Sequence, residues 1–466
     1  MGEWDGIFRT EGGRVFSGIA EFHDWYAGRR RAHGYRVDRI PLDALDGWRT
    51  DPDSGNLVHR TGRFFTVEGL DVADSGREVS AWQQPIIVQP EQGVLGILVK
   101  EFGGVPHFLL QVKMEPGNVN GLQLSPTVQA TRSNFTGAHG GRSVPYLEYF
   151  TAPRSGRVLS DVLQSEQASW FLAKRNRNMI VQVDGDVPVL EDFCWLDFEQ
   201  IAQLLREPNL VNMDTRTVLA GAASWRDRDA DLVADTFRGA LARSWAPGNV
   251  ALHDTTHLLS WFTEAKNRCT LARQLVPLTK VEGWGRRDGA LVHDRDQHFA
   301  VIGVSVETDS REVARWHQPM FEPRSQGVIA FLVRRIGGVL HVLMQARTET
   351  GGFDGVEMAP TVQCQPDSYR GLPEERRPRF LSEVLEAPPE RIRFDRVHSE
   401  EGGRFYHAQN RYLLVEVGDG FPLRVPDDYA WITLRQLTDF VRYGNHLNVE
   451  ARSLLTFAGF YKEDDE

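Results

Sequence analysis

The chain has 466 residues, of which 41% are hydrophobic and 25% are charged, and its formal net charge is −11. Its acidic and basic side chains alternate instead of forming blocks, which argues against a nucleic-acid surface, and no apolar run approaches the roughly 20 residues of a membrane span. We therefore expect a cytoplasmic globular protein with no nucleic-acid and no membrane partner, and three cysteines at unrelated spacings fit a reducing compartment.

Local patterns predict several elements in the first half of the chain. Two apolar runs around Gly103-Gly104 predict a β-hairpin over residues 93–113. Helical spacing follows over residues 196–208, where Asp197 and Gln200 form a capping box. Between residues 226 and 250 we expect a polar stretch, a short helix and a Pro-Gly turn, which together indicate a domain boundary.

The second half repeats these patterns. Residues 257–269 have helical spacing, and apolar runs around a second Gly-Gly pair predict a hairpin over residues 327–347. The segments FAVIGVSVE (299–307) and RYLLVEV (411–417) are expected to add strands to the same sheet. Thr433 and Gln436 are expected to cap a helix over residues 432–444. Each half therefore predicts a largely antiparallel sheet flanked by helices, an α+β fold.

The two halves are related by an internal duplication. Residues 77–129 align with residues 311–363 without a gap, and 24 of the 53 positions are identical. The match extends on both sides at an offset of 234 to 236 residues, far above the roughly 20–50 residues of solenoid or propeller repeats. We predict two domains, a first repeat at residues 1–228 and a second repeat at residues 229–466.

Common cofactor and nucleophile motifs are missing from the sequence. It contains no GxGxxG after a predicted strand, no Walker loop, no HExxH and no GxSxG. Four polar clusters remain as functional candidates: REVARWHQP from Arg311, HVLMQARTETGG from His341, APTVQC (359–364) and HSEEGGRFYHAQNRY (398–412). Polar groups inside apolar segments are typical of small-molecule pockets, and each residue taken singly is also compatible with a structural role.

These clusters, present in duplicate, resemble the NDP-hexose 2,3-dehydratases of deoxysugar and antibiotic biosynthesis. The resemblance implies an enzyme that removes the C2 hydroxyl of dTDP-4-keto-6-deoxyglucose as water and gives a 3,4-diketo-2,6-dideoxy sugar nucleotide. It also implies a homodimer, a Nudix-hydrolase-like fold for each half, and catalysis without a metal or another cofactor. The sequence lacks the Gly-x5-Glu-x7-Arg-Glu-x-x-Glu-Glu box of metal-dependent Nudix hydrolases. Two alternatives stay open: a metal-dependent nucleotide-sugar pyrophosphohydrolase and a sugar-nucleotide-binding protein without activity.

Elimination of that hydroxyl requires a base at C3, a donor at the C4 oxygen and an acid for the departing hydroxide. The candidate catalytic residues are Glu400, Glu401 and His407 as acids or bases, and Tyr406 and Asn410 as donors. The candidate substrate-binding residues are Trp82, Trp316, Gln318, His341, Gln345, Thr361, Gln363, Arg404 and Arg411. Gln363 is also a possible enolate donor. The two arginines would hold the diphosphate, and one of the two tryptophans would offer its face to the thymine ring, with core packing as the alternative role of each tryptophan.

The duplicated cluster differs between the halves. Where the second half has SEEGGRFYHAQNRY, the first has SEQASWFLAKRNRN, which lacks counterparts of Glu401, Arg404, Tyr406 and His407. Since acid–base catalysis needs such groups, we expect the second repeat to carry the chemistry. The alternative is an active site that spans both copies or lies at a dimer interface.

Overall fold

The computed structural model describes residues 14–75, 80–131, 144–151, 156–226, 228–309 and 313–462. Arg311 and Glu312 of the REVARWHQP cluster lie outside the described residues. The elements of the first half, in chain order, are α1 (Ile19–Ala32), β1 (Tyr35–Ile40), β2 (Trp48–Thr50), β3 (Leu57–His59), β4 (Thr66–Ala73), β5 (Ala81–Val88), β6 (Val94–Phe102), β7 (Val105–Met114), β8 (Leu122–Pro126), β9 (Val128–Ala130), β10 (Arg157–Ser165), β11 (Arg175–Gln182), β12 (Phe193–Asp197), α2 (Phe198–Leu204) and α3 (Met213–Leu219).

The second half follows the same order of elements after a short connecting helix. Its elements are α4 (Phe237–Trp245), α5 (Thr255–Arg268), β13 (Ala272–Val276), β14 (Trp284–Arg287), β15 (Ala290–His293), β16 (Phe299–Thr308), β17 (Arg315–Pro323), β18 (Gly327–Ile336), β19 (Val339–Thr348), β20 (Val356–Ala359), β21 (Val362–Cys364), α6 (Leu381–Leu385), β22 (Ile392–Ser399), β23 (Gln409–Glu416), β24 (Tyr429–Thr433), α7 (Leu434–Val441) and α8 (Val449–Gly459).

Each half builds a large seven-stranded sheet with the same topology. In the first half β10, β11, β6, β7 and β12 are neighbours in that order, β8 pairs with β7 and β9 pairs with β6. In the second half β22, β23, β18 and β19 are neighbours, β20 and β24 pair with β19, and β21 pairs with β18. The pairs are antiparallel except β6 with β11 and β18 with β23. The α+β class and the repetition of the two halves are confirmed.

Local sequence signals are realised where they were expected. Both Gly-Gly pairs form the turns of the β6–β7 and β18–β19 hairpins, and Gly103 and Gly104 have φ of 58° and 81°, which favours glycine. Asp197 and Thr433 cap their helices with reciprocal capping boxes. Helix α4 is the short helix predicted near the boundary, and Gly248 follows it at a positive φ.

Two smaller five-stranded sheets exchange strands between the halves. Strand β1 of the first half pairs with β16 of the second, with Tyr35 opposite Thr308, and β13 of the second half pairs with β4 of the first, with Ala272 opposite Ala73. The prediction that residues 299–307 join the hairpin's sheet is wrong, because β16 pairs with β1, β15 and β17 in a separate sheet. Alternation of side chains identifies a strand but does not identify its partner.

The interior between the halves is formed by helices α3 and α8, which pack against each other. The main apolar core contains residues of both halves, for example Phe108 from the first and Phe331 and Phe440 from the second. Arg216 on α3 and Arg452 on α8 lie in this interior with no exposed surface. None of the helices in the described ranges has the length and apolarity needed to cross a membrane.

Candidate active site

A cavity of about 250 Å³ is lined by residues of both halves. Its polar lining from the first half consists of His59, Gln89, Glu91, Lys113, Glu115, Gln129, Thr131, Glu166, Lys174, Asn176 and Asp214. The second half contributes Trp316, His317, Gln318, Glu401 and Arg404. Part of the wall is aromatic and includes Trp48, Phe65 and Phe171. An apolar wall with a few converging polar groups is typical of a small-molecule site.

The antiparallel pairing of β10 with β11 brings Glu166 and Asn176 together at the cavity. Glu166 directly follows β10, and Asn176 lies on β11. Asn176 Nδ2 donates to Glu166 Oε1 at 2.7 Å, and Asn176 Oδ1 accepts from the Gly93 N–H at 2.9 Å. A Cβ at position 93 would lie 2.8 Å from the Ala130 carbonyl oxygen, so this close approach requires glycine. The amide therefore fixes one oxygen of Glu166.

The second half reaches the cavity through residues 401–407, which we call the crossing loop. The Gly117 N–H donates to the Gly402 carbonyl at 2.7 Å, and the His407 N–H donates to the Gly117 carbonyl at 2.8 Å. A Cβ on Gly117 would lie 1.8 Å from the Phe405 carbonyl oxygen, so a larger residue would displace the loop. This docking places Glu401 and Arg404 in the wall of the cavity.

Three carboxyl groups of the cavity, those of Glu166, Asp214 and Glu401, each have one oxygen with no hydrogen-bond partner within the described ranges. Burial raises the pKa of Glu401 to about 8, against the opposing charge of Arg404. Burial also raises the pKa of Glu166, whereas Arg452 and Lys174 lower it. The pKa of Asp214 lies well above its usual range because of burial and of the charges of Glu166 and the other carboxylates. Carboxyls coupled in this way share protons rather than titrate independently.

Cationic side chains lie next to these carboxyls. Lys174 is only 5% exposed, and burial lowers its pKa while Glu166 opposes that change. Lys174 Nζ donates to the Glu91 carbonyl. Arg404 Nε donates to Gln89 Oε1 at 3.2 Å, and its guanidinium lies 4.3 Å from the centroid of the Phe65 ring. The cavity thus combines proton carriers with fixed positive charge.

This arrangement supports proton transfer. A carboxyl that retains its proton near neutral pH can act as an acid, and a carboxyl held ionised by neighbouring cations can act as a base. Glu401 fits the first description. Glu166 has the neighbouring cations of the second, Arg452 and Lys174, which oppose the increase that burial causes in its pKa. Within the described ranges, no group of three or more His, Cys, Asp or Glu side chains is arranged to hold a metal ion.

Four of the residues predicted from the sequence line the cavity: Glu401, Arg404, Trp316 and Gln318. Trp316 Nε1 donates to Gln318 Oε1 at 3.0 Å, and Gln318 Nε2 donates to the Gly403 carbonyl at 2.6 Å. Strand β17 therefore supports the crossing loop as well as the cavity wall. The sequence prediction identified the part of the cavity that the second half supplies.

The other predicted catalytic residues lie outside the lining of this cavity. Glu400 Oε1 accepts from Asn410 Nδ2 at 2.7 Å and from the Tyr412 hydroxyl at 2.6 Å, and its Oε2 accepts from Gln167 Nε2 at 3.0 Å. Tyr406 and His407 stack on each other with ring centroids 4.0 Å apart. Their backbone N–H groups hold the crossing loop, Tyr406 by donating to the Phe321 carbonyl at 2.7 Å.

The remaining predicted binding residues have partners elsewhere in the fold. His341 bonds to the Val339 carbonyl and accepts from the Leu252 N–H, and Thr361 connects β18 to β19. The others make the following contacts: Gln345 with Asp428, Gln363 with Asn448, Arg411 with Asp395, and Trp82 with Gln84. None of these six lines the cavity, so the structure separates them from Glu401 and Arg404.

Sequence reasoning missed most of the first half's contribution, above all Lys113, Lys174 and Asp214. A signal was available, because the chain has only six lysines and two of them line this cavity. Their aligned positions in the second half are Arg347 and Ala408. Charged positions at which the two copies differ mark the place where the copies have different roles.

The chain is similar to a known family along most of its length. A profile of the family described as NDP-hexose 2,3-dehydratase matches residues 19–221 and again residues 255–457. The two matches correspond to the two halves of the duplication.

Curated relatives extend this similarity. A protein of Streptomyces violaceoruber named dTDP-4-dehydro-6-deoxy-alpha-D-glucopyranose 2,3-dehydratase is 54% identical over 440 residues, which cover 94% of this chain and 96% of the relative. Proteins of the same name from Saccharopolyspora spinosa and Amycolatopsis orientalis are 52% and 48% identical. They are matched over 93% and 92% of this chain and over 90% and 88% of their own lengths.

Proposed function

Because the chain belongs to the NDP-hexose 2,3-dehydratase family, we propose that it removes water across C2 and C3 of dTDP-4-keto-6-deoxyglucose in the cavity shared by its two halves. One observation carries the choice of this cavity. It gathers three carboxyl groups with unpartnered oxygens next to a buried lysine. This arrangement corresponds to an active site that spans both copies.

The proposed mechanism assigns one role to each of three side chains. Glu166, held by Asn176 and flanked by cations, takes the proton from C3, and the bonding electrons form an enolate with the C4 oxygen. The Lys174 ammonium stabilises the negative charge on that oxygen. Glu401 then gives its proton to the C2 hydroxyl, the C2–O bond breaks, and water leaves. The resulting enol tautomerises to the 3,4-diketo sugar.

The nucleotide is expected to lie toward the second half's residues. Arg404 presents a guanidinium at the cavity, where it suits a diphosphate oxygen. Trp316 and Trp48 supply aromatic surface for a pyrimidine ring. Arg411, by contrast, is paired with Asp395 at 2.6 Å and lies outside the lining.

The test is direct incubation of the purified protein with dTDP-4-keto-6-deoxyglucose in the presence of EDTA. We expect a product lighter by one water, trapped as a quinoxaline by an aromatic 1,2-diamine because it is a vicinal diketone. Release of dTMP instead would identify a pyrophosphohydrolase, and unchanged substrate would identify a binding protein.

A pair of matched variants tests the location of the site. Glu166→Gln and Glu400→Gln change equivalent residues of the two copies, one lining the cavity and one outside it. We expect the first to lower kcat by at least about 100-fold and the second to have a much smaller effect. The reverse order would place the chemistry in the second half.

We also propose, from the family resemblance, that each half has a Nudix-hydrolase-like fold and that the protein is a homodimer. The duplicated α+β sheets support the first proposal.

A further inference from the structure

A buried arginine of the second half lies directly behind Glu166. Arg452 on α8 has no exposed surface, and its Nη2 donates to the carbonyl of Ser165, the residue before Glu166. Its Nε donates to Thr217 Oγ1 on α3 at 2.6 Å, and its Nη1 donates to the Leu447 carbonyl at 2.5 Å. The guanidinium is therefore held by three separate segments of both halves.

Charged groups approach Glu166 from every element around it. Lys174, just before β11, and Arg452 both lower the pKa of Glu166 against the effect of burial. Asp214 on α3 and Glu401 on the crossing loop are the carboxyls coupled to it. Lys174 lines the cavity, whereas Arg452 does not, so Arg452 acts on Glu166 without touching a bound sugar.

Two further carboxyls, those of Glu357 and Glu450, act electrostatically on Arg452. Glu357 on β20 accepts from Ser165 Oγ at 2.7 Å, and burial raises its pKa to about 7. Glu450, on the same helix as Arg452, has a pKa well above its usual range because of burial. Burial opposes the ionised form of both carboxyls, so they compete less with Glu166 for the guanidinium charge.

We propose that Arg452 is a positioning residue for the dehydration, which holds the Ser165 carbonyl and places a positive charge behind Glu166 that favours the ionised form of this carboxylate as the base. The inference rests on the proposed function. The second half thus contributes in two ways: its crossing loop lines the cavity, and Arg452 acts on Glu166 from outside the lining.

The duplication provides a matched control for this residue. Arg216 on α3 is the counterpart of Arg452, and its Nη2 donates to the carbonyl of Ser399, the residue before Glu400, at 2.9 Å. It too has no exposed surface, and its Nη1 donates to the Val211 carbonyl at 2.8 Å. Because Glu400 lies outside the cavity lining, Arg216 holds the equivalent carbonyl without a cavity-lining carboxylate beside it, although its guanidinium lies over the Tyr412 and Phe457 rings.

The experiment compares Arg452→Met, Arg452→Gln, Arg452→Lys and Arg216→Met in the full-length protein. The measurement is the pH profile of kcat/KM with dTDP-4-keto-6-deoxyglucose, recorded for variants that circular dichroism shows to be folded. If Arg452→Met does not fold, Arg452→Gln serves as the uncharged variant, because its amide can still donate to the Ser165 carbonyl. Thermal unfolding is recorded in parallel.

We expect the acidic limb of the profile to move to higher pH by about one unit in the uncharged Arg452 variants, because an opposite charge near a carboxylate lowers its pKa by about that much or more. At the midpoint pH of the wild type this is a loss of about fivefold in kcat/KM, and the loss approaches about tenfold at lower pH. Arg452→Lys should keep the limb near its original position, and Arg216→Met should lose stability without moving it.

An acidic limb that stays in place in the uncharged Arg452 variants, or that moves equally in Arg216→Met, would overturn the inference. The Glu166→Gln variant separates this result from failure of the proposed function. If Glu166→Gln is inactive while the limb is unmoved, only the role of Arg452 is wrong. If Glu166→Gln remains fully active, the assignment of the base is wrong.

Discussion

Replacing Glu401 by glutamine removes its transferable proton and should leave the structure of the crossing loop unchanged. The amide has nearly the same volume as the carboxyl, and the backbone bonds that hold the crossing loop to Gly117 do not involve this side chain. The aligned position of the first half, Gln167, already carries an amide at the corresponding point of its own loop. Loss of a positioned general acid should lower kcat by about 10²–10⁴-fold, with a much smaller change in KM.

The same substitution should stabilise the fold at alkaline pH. A carboxyl whose pKa is higher in the folded than in the unfolded state binds protons preferentially when folded, so stability falls as pH rises between the two values. For Glu401 these values are 4.5 and about 8. Since each pKa unit corresponds to about 1.4 kcal/mol, the loss would reach at most about 5 kcal/mol. Neighbouring carboxyls share the proton, so we expect about 1–2 kcal/mol at pH 8.5.

The assay is urea unfolding of the wild type and of Glu401→Gln at pH 5 and pH 8.5, together with steady-state kinetics. At pH 5 the folded state holds the Glu401 proton and less than about 1 kcal/mol of the pH-dependent loss has accumulated, so the two proteins should have similar unfolding free energies. At pH 8.5 the variant should be the more stable protein and the less active enzyme. Equal stability at both values of pH, together with wild-type kcat, would refute the description of Glu401 as a buried, proton-holding acid.

Three further predictions follow from the same structure and sequence. Gly117→Ala should reduce kcat/KM by at least about tenfold, because a Cβ would lie 1.8 Å from the Phe405 carbonyl oxygen and displace Glu401 and Arg404; wild-type kinetics would show that the loop tolerates the shift. Activity should survive exhaustive EDTA treatment, since the sequence lacks the metal-binding box; loss of activity that Mg²⁺ restores would contradict this. Light scattering should give about twice the 52.8 kDa chain mass, and a monomer at micromolar concentration would exclude the homodimer.

Structural features that depend on residues close together in the sequence could be predicted from it. The Gly-Gly hairpins, the capping boxes at Asp197 and Thr433 and the helix at the boundary each depend on a few consecutive side chains and on local backbone geometry. The internal duplication predicted that the two halves have equivalent elements. These signals are sufficient for the class of fold and for the order of its elements.

Structural features that depend on contacts between distant parts of the chain could not be predicted from the sequence. Nothing in residues 35–40 or 299–308 specifies that β1 pairs with β16, because an edge strand of either copy offers the same backbone groups. The cavity has the same origin: Lys113, Lys174 and Asp214 lie on separate elements and meet only through the folding of the first sheet and α3. The sequence prediction therefore found the cluster around Glu401, whose residues are close together in the sequence. It missed Lys113, Lys174 and Asp214, which are far apart in the sequence.

Under the proposed function, the crossing loop and the equivalent residues 167–173 account for a single acid–base site in a duplicated fold. Residues 167–173 dock on Gly351 as the crossing loop docks on Gly117, since the Gly351 N–H donates to the Ala168 carbonyl at 2.7 Å. That loop brings an amide to Glu400, whose two oxygens are both bonded, by Gln167 on one side and by Asn410 and Tyr412 on the other.

At the equivalent place in the first half, the loop brings the carboxyl of Glu401, and Glu166 Oε2 has no partner within the described ranges. A carboxylate whose hydrogen bonds are all satisfied stabilises the structure, whereas one with a free oxygen next to a second proton carrier can exchange protons with a ligand. Under the proposed function, the residue at position 167 or 401 that reaches the opposite half therefore determines which of the two equivalent glutamates acts in catalysis.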